Sequence, residues 1–314
     1  MLLWMIFGVV AGAAQPVQTL VNTRLSRSTG TPYSASMFSF LVGLVCLSMM
    51  TLGIFGPTFG LSNAGDAPWW AWTGGVLGVI FLTGNILLFP RLGAVQTVVL
   101  PITGQVLMGL AIDHGGWFHS PESALSITRV LGALMVLAGV LILVGMTTKS
   151  SLPTSGRKTH PISLWGWRVF GLFSGISLAM QSAINGYLGQ VTDGALVATT
   201  VSFGVGAIAL VVLNVALRWK PTLTAWKHEQ QDPGATITSN PWWMWLGGIF
   251  GAFFVTVNTA LVPLVGTGLA VVLTLLGSMS GSVVVDRVQG RKVTINQILG
   301  LILILLGVVV IRFV

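Results

Sequence analysis

The sequence predicts an all-α polytopic membrane protein of about ten transmembrane helices, arranged as two inverted five-helix repeats. Three observations carry that expectation. The 314 residues are 54% hydrophobic and 7% charged, whereas soluble domains are about 25% charged because their surface faces water. The chain aligns on itself in two long registers. Its basic residues fall almost entirely on one side of the spans so counted.

Apolar runs long enough to cross a bilayer, about 20 residues each, begin near Leu3, Tyr33, Trp70, Ala94, Ile127, Trp165, Ala195, Trp243, Thr267 and Ile295. Turn-like stretches rich in glycine, proline, serine and asparagine separate them. The two long connections, 147–164 and 218–241, read as solvated loops. Tryptophans at 69, 70, 72, 242, 243 and 245 flank span starts, as an interfacial aromatic belt does. The first residues lack the basic stretch of a cleaved signal peptide and read as the start of the first span. Cys46, the one cysteine, lies within an apolar run and has no disulfide partner in the chain.

Shifted by 163, residues 4–43 align without a gap on 167–206, with 13 identities in 40 pairs, among them Trp4/Trp167, Gly8/Gly171, Gly12/Gly175, Gln18/Gln181, Asn22/Asn185, Ser39/Ser202 and Phe40/Phe203. Shifted by 173, residues 68–113 align on 241–286, pairing Trp70/Trp243, Gly74/Gly247, Gly78/Gly251, Asn85/Asn258, Pro90/Pro263, Gly93/Gly266 and Asp113/Asp286. Biased composition produces chance glycine and valine matches, but not tryptophan, glutamine, asparagine and aspartate in register. The predicted units are therefore a first repeat over 1–146, a cytoplasmic linker over 147–164 and a second repeat over 165–314.

Five spans per repeat is an odd number, so the second repeat starts on the opposite face from the first. The odd-numbered connections and adjoining span ends hold 13 of the 15 Lys and Arg; Arg129 and Arg312 are the other two. By the positive-inside rule the linker is cytoplasmic and both termini are outside. The basic residues do not follow the duplication: Arg24, Arg27 and Arg91 align with Tyr187, Gln190 and Leu264. That is how inverted repeats differ.

Polar side chains inside the spans mark the candidate site, since hydrocarbon tolerates them only beside partners or water. On a helix, Gly8, Gly12, Gln15, Gln18 and Asn22 share one face. The glycines in this small-xxx-small pattern serve close packing; the amides line a cavity or bond between helices. Gln181 and Asn185 repeat the pattern, and Asn85 and Asn258 add a matched pair. Asp113 and Asp286 end the fourth and ninth spans, either as anchors at the interface or as coupling sites. The four histidines fall in loops. No metal-ligand spacing and no nucleophile–base set is present, so neither an enzyme nor a cofactor is expected.

The run Gly-Gly-Val-Leu-Gly-Val-Ile-Phe at 74–81, the Gln-x-x-x-Asn of the first and sixth spans, and Gly104-Gln105 leading to Asp113 resemble the YdcZ-type family of the drug/metabolite transporter superfamily. That family includes five-helix proteins that pair antiparallel and fused ten-helix forms; this chain is similar to the fused form over nearly its whole length. The resemblance implies a plasma-membrane (bacterial inner-membrane) protein that moves small organic solutes by alternating access. It adds Gln105 to the cavity candidates, although Ser278 matches Gln105 and Leu178 matches Gln15. The reading is a secondary transporter of a small polar solute bound between the repeats; a passive pore and an exporter of organic cations are the alternatives. The partners expected are the solute and the lipid bilayer, with no nucleic acid. Fusion of the repeats predicts function as a monomer. With no ionisable residue placed near the midplane, substrate binding is expected to vary little with pH.

Overall fold

The computed structural model describes residues 2–61, 64–145, 161–217, 241–288 and 293–313. Linker residues 147–160 and the loops 218–240 and 289–292 lie outside the described residues, and with them Lys149, Arg157, Lys158, Arg218, Lys220, Lys227, Arg291 and Lys292. Among the described residues the chain forms α1 (Leu2–Thr29), α2 (Pro32–Phe55), α3 (Gly74–Gly115), α4 (Ile127–Gly145), α5 (Pro161–Val191), α6 (Ala195–Ala216), α7 (Gly247–Val265), α8 (Thr267–Val288) and α9 (Ile295–Phe313), and no strand.

Local chemistry sets several of these ends. Thr31 caps α2, its Oγ1 accepting from Ser34 N at 3.1 Å, and Pro32 supplies a first-turn residue whose missing N–H costs nothing there. Gly266, at φ +84°, lets the chain turn between α7 and α8. Eight stretches are long and apolar enough to span a membrane. The apolar part of α9 runs from Ile295 to Ile311. The 31-residue α5 is long enough but less apolar, because Ser174, Ser177, Gln181, Ser182 and Asn185 are all buried along it. Its polar face is turned into protein.

The one departure from the expected elements is α3, where the third and fourth spans run on as one helix of 42 residues. Straight, it would be about 63 Å long, twice the hydrocarbon thickness. It is not straight. Gly84 and Gly104, about 30 Å apart on a straight helix, both abut the same turn of α5: a Cβ on Gly84 would meet Ser174 Cβ at 3.2 Å, and one on Gly104 would collide with Leu172 O. The two legs therefore fold back on each other within one continuous helical segment, bent where Pro90 has no N–H to donate. In the second repeat the same turn is an open break at Gly266.

Equivalent helices pair antiparallel across the repeats. In α2 and α6, Tyr33 O accepts from Asn214 Nδ2 (3.3 Å), Phe40 stacks on Phe203 (4.9 Å between centroids), and the Thr51 and Thr200 hydroxyls are 2.8 Å apart. In α4 and α9, a Cβ on Gly132 would meet Gly307 O at 2.8 Å, and one on Gly139 would meet Gly300 O at 2.7 Å. The first helix of each repeat lies on the third and fourth spans of the other. Gly8 abuts Leu261 and Leu273, as Gly171 abuts Leu88 and Leu100; Gly12 touches Thr274 O, as Gly175 touches Pro101 O. Reciprocal contacts with equivalent helices reversed define a two-fold axis perpendicular to the helices, which in a bilayer lies in the membrane plane. Neither repeat buries its own glycine seams.

Contacts between connections respect two faces. The turn before α4 meets the turn before α8 through Asp113, whose carboxylate accepts from Thr267 N and Gly268 N. Asp193 N donates to Gly60 O at 3.2 Å. On the opposite face, Arg168 Nε donates to Gln96 Oε1 at 3.0 Å. Even-numbered connections meet even ones and odd meet odd, as ten crossings require.

Candidate functional site: a cavity on the two-fold axis

At the crossing of the repeats lies a small cavity of about 40 Å³. Its walls come in equivalent pairs: Gln18 and Gln181, Phe40 and Phe203, Gly78 and Gly251, Phe81 and Phe254, Leu82 and Val255, and the unlike pair Gln15 and Leu178. They belong to α1, α2, the first leg of α3, α5, α6 and α7. The second leg of α3 and helices α4, α8 and α9 supply no wall. A Cβ at 78 or 251 would run into the amide end of Gln181 or Gln18 respectively and displace it, so each glutamine lies across a glycine of the other repeat.

The cavity is amide above aromatic. Three glutamines supply donors and acceptors that do not titrate; four phenylalanines supply ring faces and edges. Among the described residues no ionisable side chain lines it. At about 40 Å³ it has room for about one water, whose share of liquid volume is about 30 Å³, and it is far below the roughly 300 Å³ at which small-molecule sites begin. The helices are closed on the site in this conformation.

The two ends of the site differ. On the face where α5 ends, Gln181 Nε2 and Asn185 Nδ2 both donate to Ser202 Oγ, at 3.4 and 3.2 Å. Gln181 is 2% exposed, whereas Gln15 and Gln18 keep partial exposure. On the α1 face Asn22 is buried at 2% with neither amide atom hydrogen-bonded among the described residues. Beyond the sealed end, Trp70, Phe118, His119 and Tyr187 form an aromatic cluster, with Trp70–Tyr187 and His119–Tyr187 centroids at 4.9 and 4.6 Å. Phe118 and His119 both adopt left-handed backbone (φ 57° and 58°) to reach it.

Of the eight candidates read from the sequence, Gln15, Gln18 and Gln181 line the cavity. Asn22 and Asn185 lie one turn beyond, Oδ1 of each against a glycine of the other repeat, Gly247 and Gly74. Asn258 Nδ2 donates to Ser182 Oγ (2.6 Å), joining α7 to α5, and Asn85 and Asn258 each leave Oδ1 without a partner among the described residues. Gln105 is buried on the second leg of α3, away from the walls. The phenylalanines were missed. Phe40/Phe203 and Phe81/Phe254 match in the self-alignment, yet an aromatic in an apolar helix reads as ordinary core until its partner across the repeats is known.

Asp113 does not face the cavity. It is fully buried, with Oδ1 accepting from Thr267 N (2.7 Å) and Ser120 Oγ (3.2 Å) and Oδ2 from Gly268 N (2.9 Å) and Arg129 Nη2 (3.3 Å). It caps the N-terminus of α8 and pairs with the one basic residue near that end, an anchoring role. In the second repeat Gln297 takes the place of Arg129, its Nε2 donating to Asp286 Oδ2 at 3.4 Å. Asp286, half-buried, keeps the position with Gln297 beside it.

The comparisons agree with this architecture. The profile of the family described as "Putative inner membrane exporter, YdcZ" matches residues 3–142 and again 166–310, once per repeat. The chain belongs to the YdcZ family. "Inner membrane protein YdcZ" of Escherichia coli (strain K12) is 26% identical over 137 residues, which are 42% of this chain and 89% of that protein. That relative is thus close to one repeat long, and this YdcZ-family chain holds two such units. A solved crystal structure 15% identical to it superposes with a TM-score of 0.66, covering 98% of this chain and 94% of the other, a likeness of fold alone.

Proposed function

We propose that this YdcZ-family protein is an inner-membrane secondary transporter that carries a small, polar, uncharged or zwitterionic organic solute by alternating access. The cavity on the two-fold axis carries the reading, because its walls come in equivalent pairs from both repeats. A site so placed can be approached from either face by exchanging the conformations of the repeats. Gln15, Gln18 and Gln181 hydrogen-bond the solute, while Phe40, Phe81, Phe203 and Phe254 hold its apolar part. The difference between the bonded Gln181–Asn185–Ser202 end and the end where Asn22 is left without hydrogen bonds and Gln18 is partly exposed is the asymmetry that one inward- or outward-biased state would have. The family description favours export.

Export of an organic cation is the second reading, and the four rings favour it, since desolvated cation–π contacts reach about 2 kcal/mol. Counterflow in liposomes separates the readings. Wild-type protein is expected to exchange radiolabelled neutral or zwitterionic solutes found by thermal-shift screening, with Gln181→Leu lowering the rate at least about tenfold, or 1.4 kcal/mol. Exchange confined to quaternary ammonium compounds supports the second reading. Downhill flux without counterflow overturns both in favour of a pore.

A further inference from the structure

We infer that the protein carries a binding site for one anionic phospholipid on its basic face, between the bend of α3 and the start of α5. A cavity lies there, off the two-fold axis. It measures about 380 Å³, is widely open, and is lined by Leu87, Gly166, Trp167 and Phe170. A Cβ on Gly166 would have nothing within 4 Å, so space stands directly before that glycine. Both flanking helices are membrane-spanning, so an apolar cleft at this position opens to lipid chains.

Charge at its rim selects the headgroup. The Arg91 guanidinium stacks over the Trp167 ring at 4.7 Å to the centroid, and Arg168 stacks over Trp165 at 5.4 Å. Arg168 Nε is spent on Gln96 Oε1, which fixes the group and leaves its remaining N–H donors for another acceptor. Among the described residues no carboxylate pairs with either rim arginine; the ion pair Arg129–Asp113 lies on the opposite face. Two guanidiniums held on tryptophan rings above an apolar cleft fit a phosphodiester with acyl chains below it.

The duplication supplies an internal comparison. The inverted counterpart keeps the aromatic wall as Trp4 and Phe7, but Leu264 stands where Arg91 is and Met5 where Arg168 is. Leu3 stands where Gly166 is, so the aromatic wall belongs to both repeats but the open cleft and its anion-binding rim to one, and the site serves the leaflet on the basic face.

The test is thermal unfolding of the full chain in neutral detergent with added dioleoylphosphatidylglycerol, dioleoylphosphatidylcholine or glycerol 3-phosphate. Phosphatidylglycerol is expected to raise Tm by about 3 °C or more, with neither of the others matching it. Arg91→Gln/Arg168→Gln removes the shift, and Arg287→Gln, an exposed arginine on the same face, keeps it. Gly166→Leu fills the cleft without touching the arginines and also removes the shift, which keeps the test valid should the double variant fold poorly. Equal stabilisation by phosphatidylcholine, an equal shift with glycerol 3-phosphate, or loss of the shift in Arg287→Gln overturns the site.

Discussion

Asp113 shows how a buried charge in a membrane helix serves structure. Four donors converge on it, two of them backbone N–H groups at the start of α8 and one the Arg129 guanidinium. Removing one partner of such a buried pair costs about 3–5 kcal/mol, because the other is left uncompensated. Asp113→Ala is therefore expected to lower Tm markedly and Asp286→Ala less, since Asp113 is fully buried and Asp286 only half-buried; differential scanning fluorimetry checks the order. Neither aspartate meets the cavity, whose lining contains no titratable group. Transport of a solute that does not itself titrate is accordingly expected to stay flat between about pH 5.5 and 8, the window in which histidine normally titrates. A steep pH profile abolished by Asp113→Asn would instead make the anchor a coupling site.

The glycine seams decide how the helices meet. Gly12 and Gly175 sit against the carbonyl oxygens of Thr274 and Pro101, so a side chain at either would force α1 from α8 or α5 from the second leg of α3. Gly12→Leu or Gly175→Leu is expected to abolish the monodisperse peak in size-exclusion chromatography. Gly53→Leu should leave the peak unchanged, because a Cβ on Gly53 meets nothing within 4 Å. The sequence made these seams legible through small residues at helical spacing, and it made the amide stripe of α1 and α5 legible through the cost of polar groups in hydrocarbon. It left open which helix each seam meets, because the partner lies in the other repeat and period alone names no partner. For the same reason Ser202 was not recognised as the shared acceptor of Gln181 and Asn185. The turn of α3 escaped too. Both repeats carry Pro-x-x-Gly there, but only the second is followed by Thr267 and Gly268, whose N–H groups Asp113 caps, and only there does the helix open.

At the scale of the whole molecule the remaining question is which face is which. The contacts sort the connections into two sets: Asp113, Asp193 and the Trp70 cluster lie on one face, Arg91, Arg168 and the paired Tyr33–Asn214 ends on the other. The second face is the basic one, with 13 of the 15 Lys and Arg assigned to it. Lys and Arg near span ends resist translocation, whereas Asp and Glu contribute little, so this bias sets orientation whatever the net charge. Alkaline phosphatase fused after Val314 is therefore expected to be active, and green fluorescent protein inserted within 218–240 to fluoresce. The two-fold axis has its own check, independent of orientation. Cysteines replacing Thr51 and Thr200 in a Cys46→Ala background should cross-link within one chain, since the hydroxyls are 2.8 Å apart. Repeats related by an axis along the membrane normal would run α2 and α6 parallel, and then a pair joining the end of α2 to the start of α6 could not form. Cross-linking at Thr51/Thr200 with an inactive phosphatase fusion would keep the inverted fold and reverse its orientation, placing the arginine-rimmed cleft in the outer leaflet.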